Sequence, residues 1–269
     1  MKHKKKFKKN GKNNSKKRNK KSLYHTKKYR KIGGNLNKKY FVTFSDGNQN
    51  YLDAGKRLVS QAEKTNLFNS CIHYKNIDLQ NDTDFWNKHH KFIEDNRRGN
   101  GYWIWKPYII NKTMSKLDDG DILLYLDGGC EIDHKKKDKI KLYMEKTKTN
   151  LLIGTTTPHL EKCWCKKDLI NLIQPEDNSL NTYQRQAGGI MILVNPITRK
   201  FVNEWESYTY NYHNLNDTPS KDKNDECFRE HRHDQSIFSL LVKKYNLDND
   251  ISLHDVIEYQ RNKSGKSRI

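Results

Sequence analysis

Short apolar runs recur along the chain and are separated by segments whose apolar residues have helical spacing. Runs of four to seven residues bounded by turn residues are typical of buried strands, and they are too short for ordinary helices. The predicted strands cover residues 40–44, 71–74, 122–126, 151–155 and 188–194.

The intervening segments carry apolar residues at helical spacing, and several begin at residues that favour a helix N-terminus. Pro107 and Pro196 suit first turns, and Asp82 or Thr83 suits an N-cap. The predicted helices cover residues 51–64, 83–93, 108–117, 135–146, 196–208 and 233–245. Residues 213–230 are polar and rich in turn residues, which predicts a surface loop. A short strand or hook is predicted around Leu253, His254 and Val256.

Strands thus alternate with helices from residue 40 onward. This alternation predicts an α/β fold, a single domain over residues 40–260 with a mostly parallel central sheet and helices on both faces. The glycine-rich fingerprints of dinucleotide-binding and P-loop folds are missing from the sequence.

Charge is distributed unevenly along the 269 residues, which have a net charge of +20. Residues 1–39 contain 18 of the 52 Lys and Arg residues and no acid, which leaves 34 basic against 32 acidic residues in the remainder. The first 39 residues are therefore predicted to be a disordered basic tail, and residues 261–269 a short basic C-terminal tail.

A basic tail of this kind fits binding to nucleic-acid phosphates, to an anionic membrane surface, or nuclear import. A solvated extension without a partner is an equal alternative, because Lys and Asn are also abundant in the rest of the chain. Neither a secretory signal nor a transmembrane segment is expected. We therefore expect a cytoplasmic protein. A peripheral membrane protein and a virus-encoded protein are two alternatives within this expectation.

The cysteines are five in number and scattered: Cys71, Cys130, Cys163, Cys165 and Cys227. An odd, dispersed set does not indicate a disulfide framework, so free thiols in a reducing compartment are expected. A structural zinc site is a weaker alternative, since the Cys and His spacing is not a standard one. Its ligands would come from Cys163, Cys165, Cys227, His231 and His233.

The sequence DILLYLDGGCEID, residues 121–133, combines a buried strand with an acid at its end. Asp127 follows five apolar or aromatic residues and precedes Gly128 and Gly129. In open α/β sheets, ligands bind where strands end, and carboxylates there hold divalent cations together with substrate phosphates. An ordinary Asp-Gly turn is the alternative.

Three further segments combine polar side chains with backbone freedom. Residues 97–107, RRGNGYWIWKP, place arginines and a lysine among aromatic residues, which suits phosphate and a base or sugar face. The sequence QRQAGG, residues 184–189, brings two glycines before a strand. The sequence HRHDQ, residues 231–235, places an acid at a helix start, as an N-cap or as an active-site acid or base.

Four segments in this order resemble nucleotide-sugar-dependent glycosyltransferases of the GT-A fold, in particular small bacterial and giant-virus enzymes of polysaccharide synthesis. They are RGNGYWIWKPYII, DILLYLDGGCEI, QAGGIMI and HDQSIFSLL. The resemblance implies a nucleotide-binding N-terminal half and an acceptor-binding C-terminal half. It also implies a nucleotide-sugar donor and a glycan or glycoprotein acceptor.

The resemblance also implies roles for individual residues. Asp234 is implied as the candidate catalytic base. Asp127 is also implied as a catalytic residue, as the acid that holds a metal ion on the donor diphosphate. The residues implied for donor binding are Ser45, Asp46, Arg98, Trp105, Lys106, Gly128 and Gly129. Those implied for the sugar or acceptor are Gln186, Gly188, Gly189 and Gln235.

A Mn²⁺ or Mg²⁺ ion is implied on the diphosphate, held in this family by a D-x-D motif. Here the motif is Asp127-Gly128-Gly129, so its second acid is missing. Three possibilities follow: Glu131 substitutes for that acid, or Asp127 works with His254 or His233, or the metal is dispensable. Whether the reaction inverts or retains configuration is open.

Overall fold

Residues Asn37–Ile269 are those that the computed structural model describes. Of the predicted basic tail, only residues 37–39 fall within this range, so the predictions made for the rest of the tail lie outside the described residues. The strands are β1 (Lys39–Phe44), β2 (Ser70–Tyr74), β3 (Ile122–Leu126), β4 (Glu131–Ile132), β5 (Leu152–Ile153), β6 (Thr156–Leu160), β7 (Tyr183–Arg185), β8 (Gly189–Leu193) and β9 (Ile257–Glu258).

The helices are α1 (Gln49–Lys64), α2 (Asn76–Gln80), α3 (Thr83–Asp95), α4 (Gly99–Tyr102), α5 (Trp105–Met114), α6 (Lys137–Asn150), α7 (Lys167–Ile173), α8 (Pro196–Thr209) and α9 (Asp234–Lys244). Six of them (α1, α3, α5, α6, α8 and α9) follow predicted segments, with boundaries that move by a few residues, whereas α2, α4 and α7 were not predicted. Asp82 caps α3 by accepting a hydrogen bond from the backbone N–H of Phe85, as its position predicted.

The central sheet has five strands in the order β2-β1-β3-β8-β5. Strand β1 is parallel to both β2 and β3, while β8 is antiparallel to its neighbours β3 and β5. The α/β prediction is therefore confirmed, and β8 is the strand that makes the sheet mixed. Because β8 runs in the opposite direction, its first residue, Gly189, pairs with the last residue of β3, Leu126.

The apolar residues of the sheet alternate between two cores, one on each face. Leu123 and Tyr125 of β3 belong to the core that α3, α5, α8 and α9 cover. Leu124 and Leu126 belong to the core that α1 and α6 cover. Since successive strand residues point to opposite faces, a strand buried on both faces is apolar throughout.

Strands β6 and β7 were not predicted, and neither was α7. Strands β6 and β7 form a separate two-stranded antiparallel sheet with a register shift, and α7 lies between them in the chain. Their residues are half-exposed or polar, as in Thr-Thr-Pro-His-Leu of β6, so the apolar pattern that identified the other strands is missing.

The cysteine prediction was wrong in one respect, because Cys163 and Cys227 form a disulfide. Cys71, Cys130 and Cys165 are free thiols. The disulfide joins the turn after β6 to the long loop before α9, and it removes both sulfurs from the alternative zinc set.

The C-terminal segment is also unlike its prediction as a tail. Asn262 is fully buried, and its side-chain amide donates to Glu131 Oε1 at 2.8 Å.

Among the described residues, no helix has the length and apolar character needed to cross a bilayer.

Glu161 is a fully buried acid in the turn after β6. Its Oε1 accepts a hydrogen bond from Ser239 of α9, and its Oε2 has no partner. Burial raises the pKa of Glu161 to about 8. Its pKa in the folded state thus exceeds that in the unfolded state, so its stabilising contribution is present at low pH and is lost as the pH rises toward 8.

We expect Glu161→Gln to remove this loss. The wild-type free energy of unfolding should decline between pH 5 and 8 by up to about 1.4 kcal/mol per pH unit from this group, and the decline should be smaller in the variant. Urea unfolding across that range measures it, with the exposed Glu176→Gln as the control. An equally steep decline in both variants would contradict the assignment to Glu161.

Candidate functional site

Several predicted residues meet at one edge of the central sheet. Strands β1 and β3 end there and β8 begins there, because β8 is antiparallel. The backbone N–H of Asp127 donates to the carbonyl of Gly188 at 2.8 Å. The end of the DILLYLD strand and the QAGG segment are therefore in direct contact, as expected for ligand sites in open α/β sheets.

The centre of this edge is the side chain of Lys106, which is 4% exposed. Its Nζ lies 2.9 Å from Oδ2 of Asp234 and 3.3 Å from Oδ1 of Asp127. Burial disfavours the ammonium, but the two carboxylates raise the pKa of Lys106 above its ordinary value. One buried cation thus joins acids from two distant parts of the chain.

Asp127 is the solvent-facing member of the group, with 41% of its side chain exposed. Tyr125 donates its hydroxyl to Asp127 Oδ1 at 2.6 Å. Burial, with the Asp127 charge beside it, raises the pKa of Tyr125 well above its ordinary value, so the phenol stays protonated and remains a donor. Oδ1 of Asp127 is therefore held by both Tyr125 and Lys106.

Asp234 is the buried member, with a side chain that is 5% exposed. Burial raises its pKa to about 6, against the opposing effect of Lys106. Trp205 fixes the backbone at this point by donating its indole N–H to the carbonyl of Asp234 at 3.1 Å. A carboxylate with a pKa close to neutrality suits proton transfer.

The glycines of the site are placed where a side chain would collide. A Cβ on Gly188 would lie 2.9 Å from Oδ2 of Asp127, and a Cβ on Gly128 would lie 3.2 Å from the carbonyl oxygen of Phe44. On Gly189 it would meet the hydroxyl of Tyr259. Close approach, rather than turn geometry alone, therefore explains these glycines.

Three predicted donor residues have other roles in the structure. Trp105 is buried, stacks on Phe44 with ring centroids 3.8 Å apart, and donates its indole N–H to the carbonyl of Gly99. Arg98 pairs with Asp217 at 3.0 Å on the surface. Ser45 shares a 2.7 Å hydrogen bond with His73.

The remaining predicted residues lie near the edge without joining the charged centre. Half-buried Asp46 follows Ser45 at the end of β1. Gln235 donates its amide to Oε1 of Gln184 at 2.9 Å. A Cβ on Gly188 would be 3.4 Å from the amide nitrogen of Gln186, which places that side chain beside Asp127.

The metal set predicted from Asp127, Glu131 and His254 is not assembled. Both oxygens of Glu131 accept hydrogen bonds from the C-terminal segment, including the backbone N–H of Arg268 at 3.0 Å. His254 is exposed and packs edge-on to Tyr259. Within residues 37–269, no three His, Cys, Asp or Glu side chains are gathered as metal ligands. The residues around Asp127 therefore do not fit the metal site that a D-x-D motif would provide.

The sequence prediction missed Tyr125, Arg57 and the C-terminal segment. Tyr125 had a signal, because residues two apart in a strand share a face, which places Tyr125 on the side of Asp127. The buried Arg57 in the middle of α1 and the segment after β9 had no comparable signal.

Comparisons with known proteins give structural similarity only. No protein-family model matches the chain, and no curated protein is significantly similar in sequence. Mouse xyloside xylosyltransferase 1 has a similar structure at a TM-score of 0.41 and 10% identity, over 79% of this chain and 84% of that one. The galactosyltransferase LgtC, solved with donor and acceptor sugar analogues, matches at 0.41 and 14%, over 76% and 70%.

A glycosyltransferase involved in glycosylation of the major capsid of PBCV-1 is also similar, at a TM-score of 0.37 and 12% identity. That match covers 63% of this chain and 65% of that one. The chain is thus similar to solved glycosyltransferases. Similarity at this level does not establish an activity, which has to rest on the chemistry of the site.

We expect Lys106→Met to destabilise the fold strongly, because it leaves Asp127 and Asp234 without their shared cation. Removing one partner of a buried ion pair costs about 3–5 kcal/mol. Lys112→Met is the control, since its pair with Asp82 is partly exposed and such pairs contribute about 0–1 kcal/mol. Equal losses of unfolding free energy in the two variants would contradict a central role for Lys106.

Proposed function

We propose that the protein is a glycosyltransferase that moves a sugar from a nucleoside-diphosphate donor, UDP- or GDP-linked, to a hydroxyl group of a glycan or glycoprotein acceptor. One observation carries the proposal. Lys106, Asp127, Gly188 and Asp234 come one each from the four segments that resemble such enzymes: Lys106 pairs with both Asp127 and Asp234, and the carbonyl of Gly188 accepts a hydrogen bond from the backbone of Asp127. Separate segments brought to one point at a sheet edge support a shared chemical role.

The donor is assigned to the exposed side of this group. Asp127 is the exposed carboxylate of the group, with 41% of its side chain open to solvent. The ends of β1 and β3 are adjacent, because Gly128 lies against Phe44 and Ser45. A nucleoside beside Ser45 and Asp46 would then bring its diphosphate to the loop after Asp127.

In the proposed reaction, the acceptor oxygen forms a bond to the anomeric carbon. The bond from that carbon to the diphosphate oxygen breaks, and its electron pair leaves with the nucleoside diphosphate. The acceptor proton passes to the carboxylate of Asp234, whose pKa of about 6 lets it accept a proton near neutral pH. Lys106 keeps this carboxylate ionised and fixes its position relative to Asp127. A single displacement of this kind inverts configuration.

A screen of UDP- and GDP-sugars, with mass detection of the released nucleotide, tests the proposal. We expect turnover with at least one donor, and we expect Asp127→Ala to abolish it while the circular-dichroism spectrum stays unchanged. Asp133→Ala, which removes a half-buried carboxylate outside this group, is the matched control and should keep wild-type turnover. Absence of turnover with every donor would contradict the activity, and full turnover in Asp127→Ala would remove Asp127 from the mechanism.

Asp234→Asn should lower kcat by about 10²-fold or more, the usual contribution of a general base, and should change the KM for donor much less. In the wild type, kcat should fall as the pH drops below about 6, because Asp234 is then protonated. Steady-state kinetics between pH 5 and 8 measure both effects. A wild-type rate in Asp234→Asn would leave Asp234 as a structural partner of Lys106.

A further inference from the structure

The C-terminal strap, which we define as residues 259–268, lies directly on the loop that follows Asp127. The backbone N–H of Asn262 donates to the carbonyl of Gly129 at 2.8 Å. A Cβ on Gly129 would stand 3.0 Å from Cα of Arg261 and 3.3 Å from its carbonyl carbon. The strap backbone therefore fills the space that the second acid of a D-x-D motif would need.

Two charged side chains with almost no exposure hold the strap in this place. Arg57 binds the loop and the strap together, with hydrogen bonds to the carbonyls of Gly128, Cys130, Asn262 and Ser264. Glu131 accepts hydrogen bonds from Asn262, Ser267 and the backbone of Arg268 in the strap. It also accepts one from Gln61 of α1, at 3.1 Å. Hydrogen bonds to buried charges are stronger than neutral ones, and loss of a partner would leave a charge buried and unpaired.

A third contact fixes the strap where it leaves β9. The hydroxyl of Tyr259 lies 3.2 Å from the Thr155 hydroxyl, in the space beside Gly189. The strap is thus held by Tyr259 on one side of Arg261 and by Asn262 on the other. Its course places Arg261 next to the loop that begins at Asp127.

Arg261 itself is exposed and has a φ of 49°. A residue other than glycine in the left-handed region costs about 1–2 kcal/mol. Backbone strain of this kind is concentrated at functional sites and persists only where the surroundings enforce it. Here the anchors at Tyr259 and Asn262 enforce it, and the result is an exposed arginine whose backbone lies against Gly129.

The charge balance of the site makes a cation useful at this position. Lys106 neutralises only one of the two carboxylates that it contacts, and a diphosphate would add further negative charge. Residues 261–269 contain four basic residues and no acid. A guanidinium binds phosphate oxygens through paired hydrogen bonds and carries its charge at all ordinary pH values.

We propose that Arg261 is part of the diphosphate subsite and supplies there the positive charge that a metal ion would otherwise provide. This inference rests on the proposed function, since the diphosphate is that of the donor. It also accounts for Gly129: the side chain is missing because the strap occupies its place.

Titration calorimetry of the full chain with UDP and with GDP, in EDTA and again in Mn²⁺, tests the inference. We expect the wild type to bind one of them in EDTA. Arg261→Gln should weaken that binding by about tenfold or more, the loss of one charge-assisted contact. Arg268→Gln, in the same strap, is the matched control and should stay within about twofold, because Arg268 binds Glu131 through its backbone.

Arg261→Gly separates a loss of binding from a loss of folding. Glycine adopts a positive φ without strain, so this variant should unfold at the wild-type temperature or above it and still bind nucleotide weakly. Wild-type affinity in Arg261→Gln and Arg261→Gly would overturn the role of Arg261, and so would wild-type binding that occurs only with Mn²⁺. If the wild type binds neither nucleotide under either condition, the proposed function itself fails.

Discussion

The site depends on one buried ammonium group. Lys106 lies between Asp127 and Asp234 with only 4% of its side chain exposed. Its pair with buried Asp234 is therefore little screened by water, whereas Asp127 faces solvent on its other side. Lys106 enters this position at the start of α5, where Trp105 stacks on Phe44 of β1. The packing of Trp105 in the first turn of α5 therefore fixes the position of Lys106. Lys106 in turn holds Asp127, at the end of β3, close to Asp234, at the start of α9.

The direction of β8 is the second constraint on the site. If β8 were parallel to β3, Gly188 and Gly189 would lie at the opposite edge of the sheet from Asp127. Because it is antiparallel, Gly189 pairs with Leu126 and the carbonyl of Gly188 accepts from the backbone of Asp127. The pattern of apolar residues predicted that this strand exists and is buried. It carried no information on strand direction. The direction of β8 depends on the path of the chain through β6, α7 and β7, which precede it.

What the sequence predicted correctly follows from local chemistry, and what it missed follows from tertiary contacts. Strand β3 and helices α1, α3 and α8 were predictable because their apolar residues, caps and turns agree with one another. Trp105 and Arg98 were assigned to the donor through the resemblance and their residue types, and the structure gives each another contact: Trp105 packs in the core and Arg98 pairs with Asp217. Glu131 was assigned to metal for its nearness in sequence to Asp127, yet it faces the strap.

The departure from D-x-D then has a structural reason that does not depend on loss of function. An acid at position 129 would require the backbone of Arg261 and Asn262 to shift, since its Cβ alone would be 3.0 Å from Cα of Arg261. Arg57 and Glu131 anchor that course with charges that are almost fully buried, so the strap is an integral part of the loop rather than an addition to it. Gly129 and the strap are therefore one feature, because the backbone of Arg261 lies where a side chain at position 129 would stand.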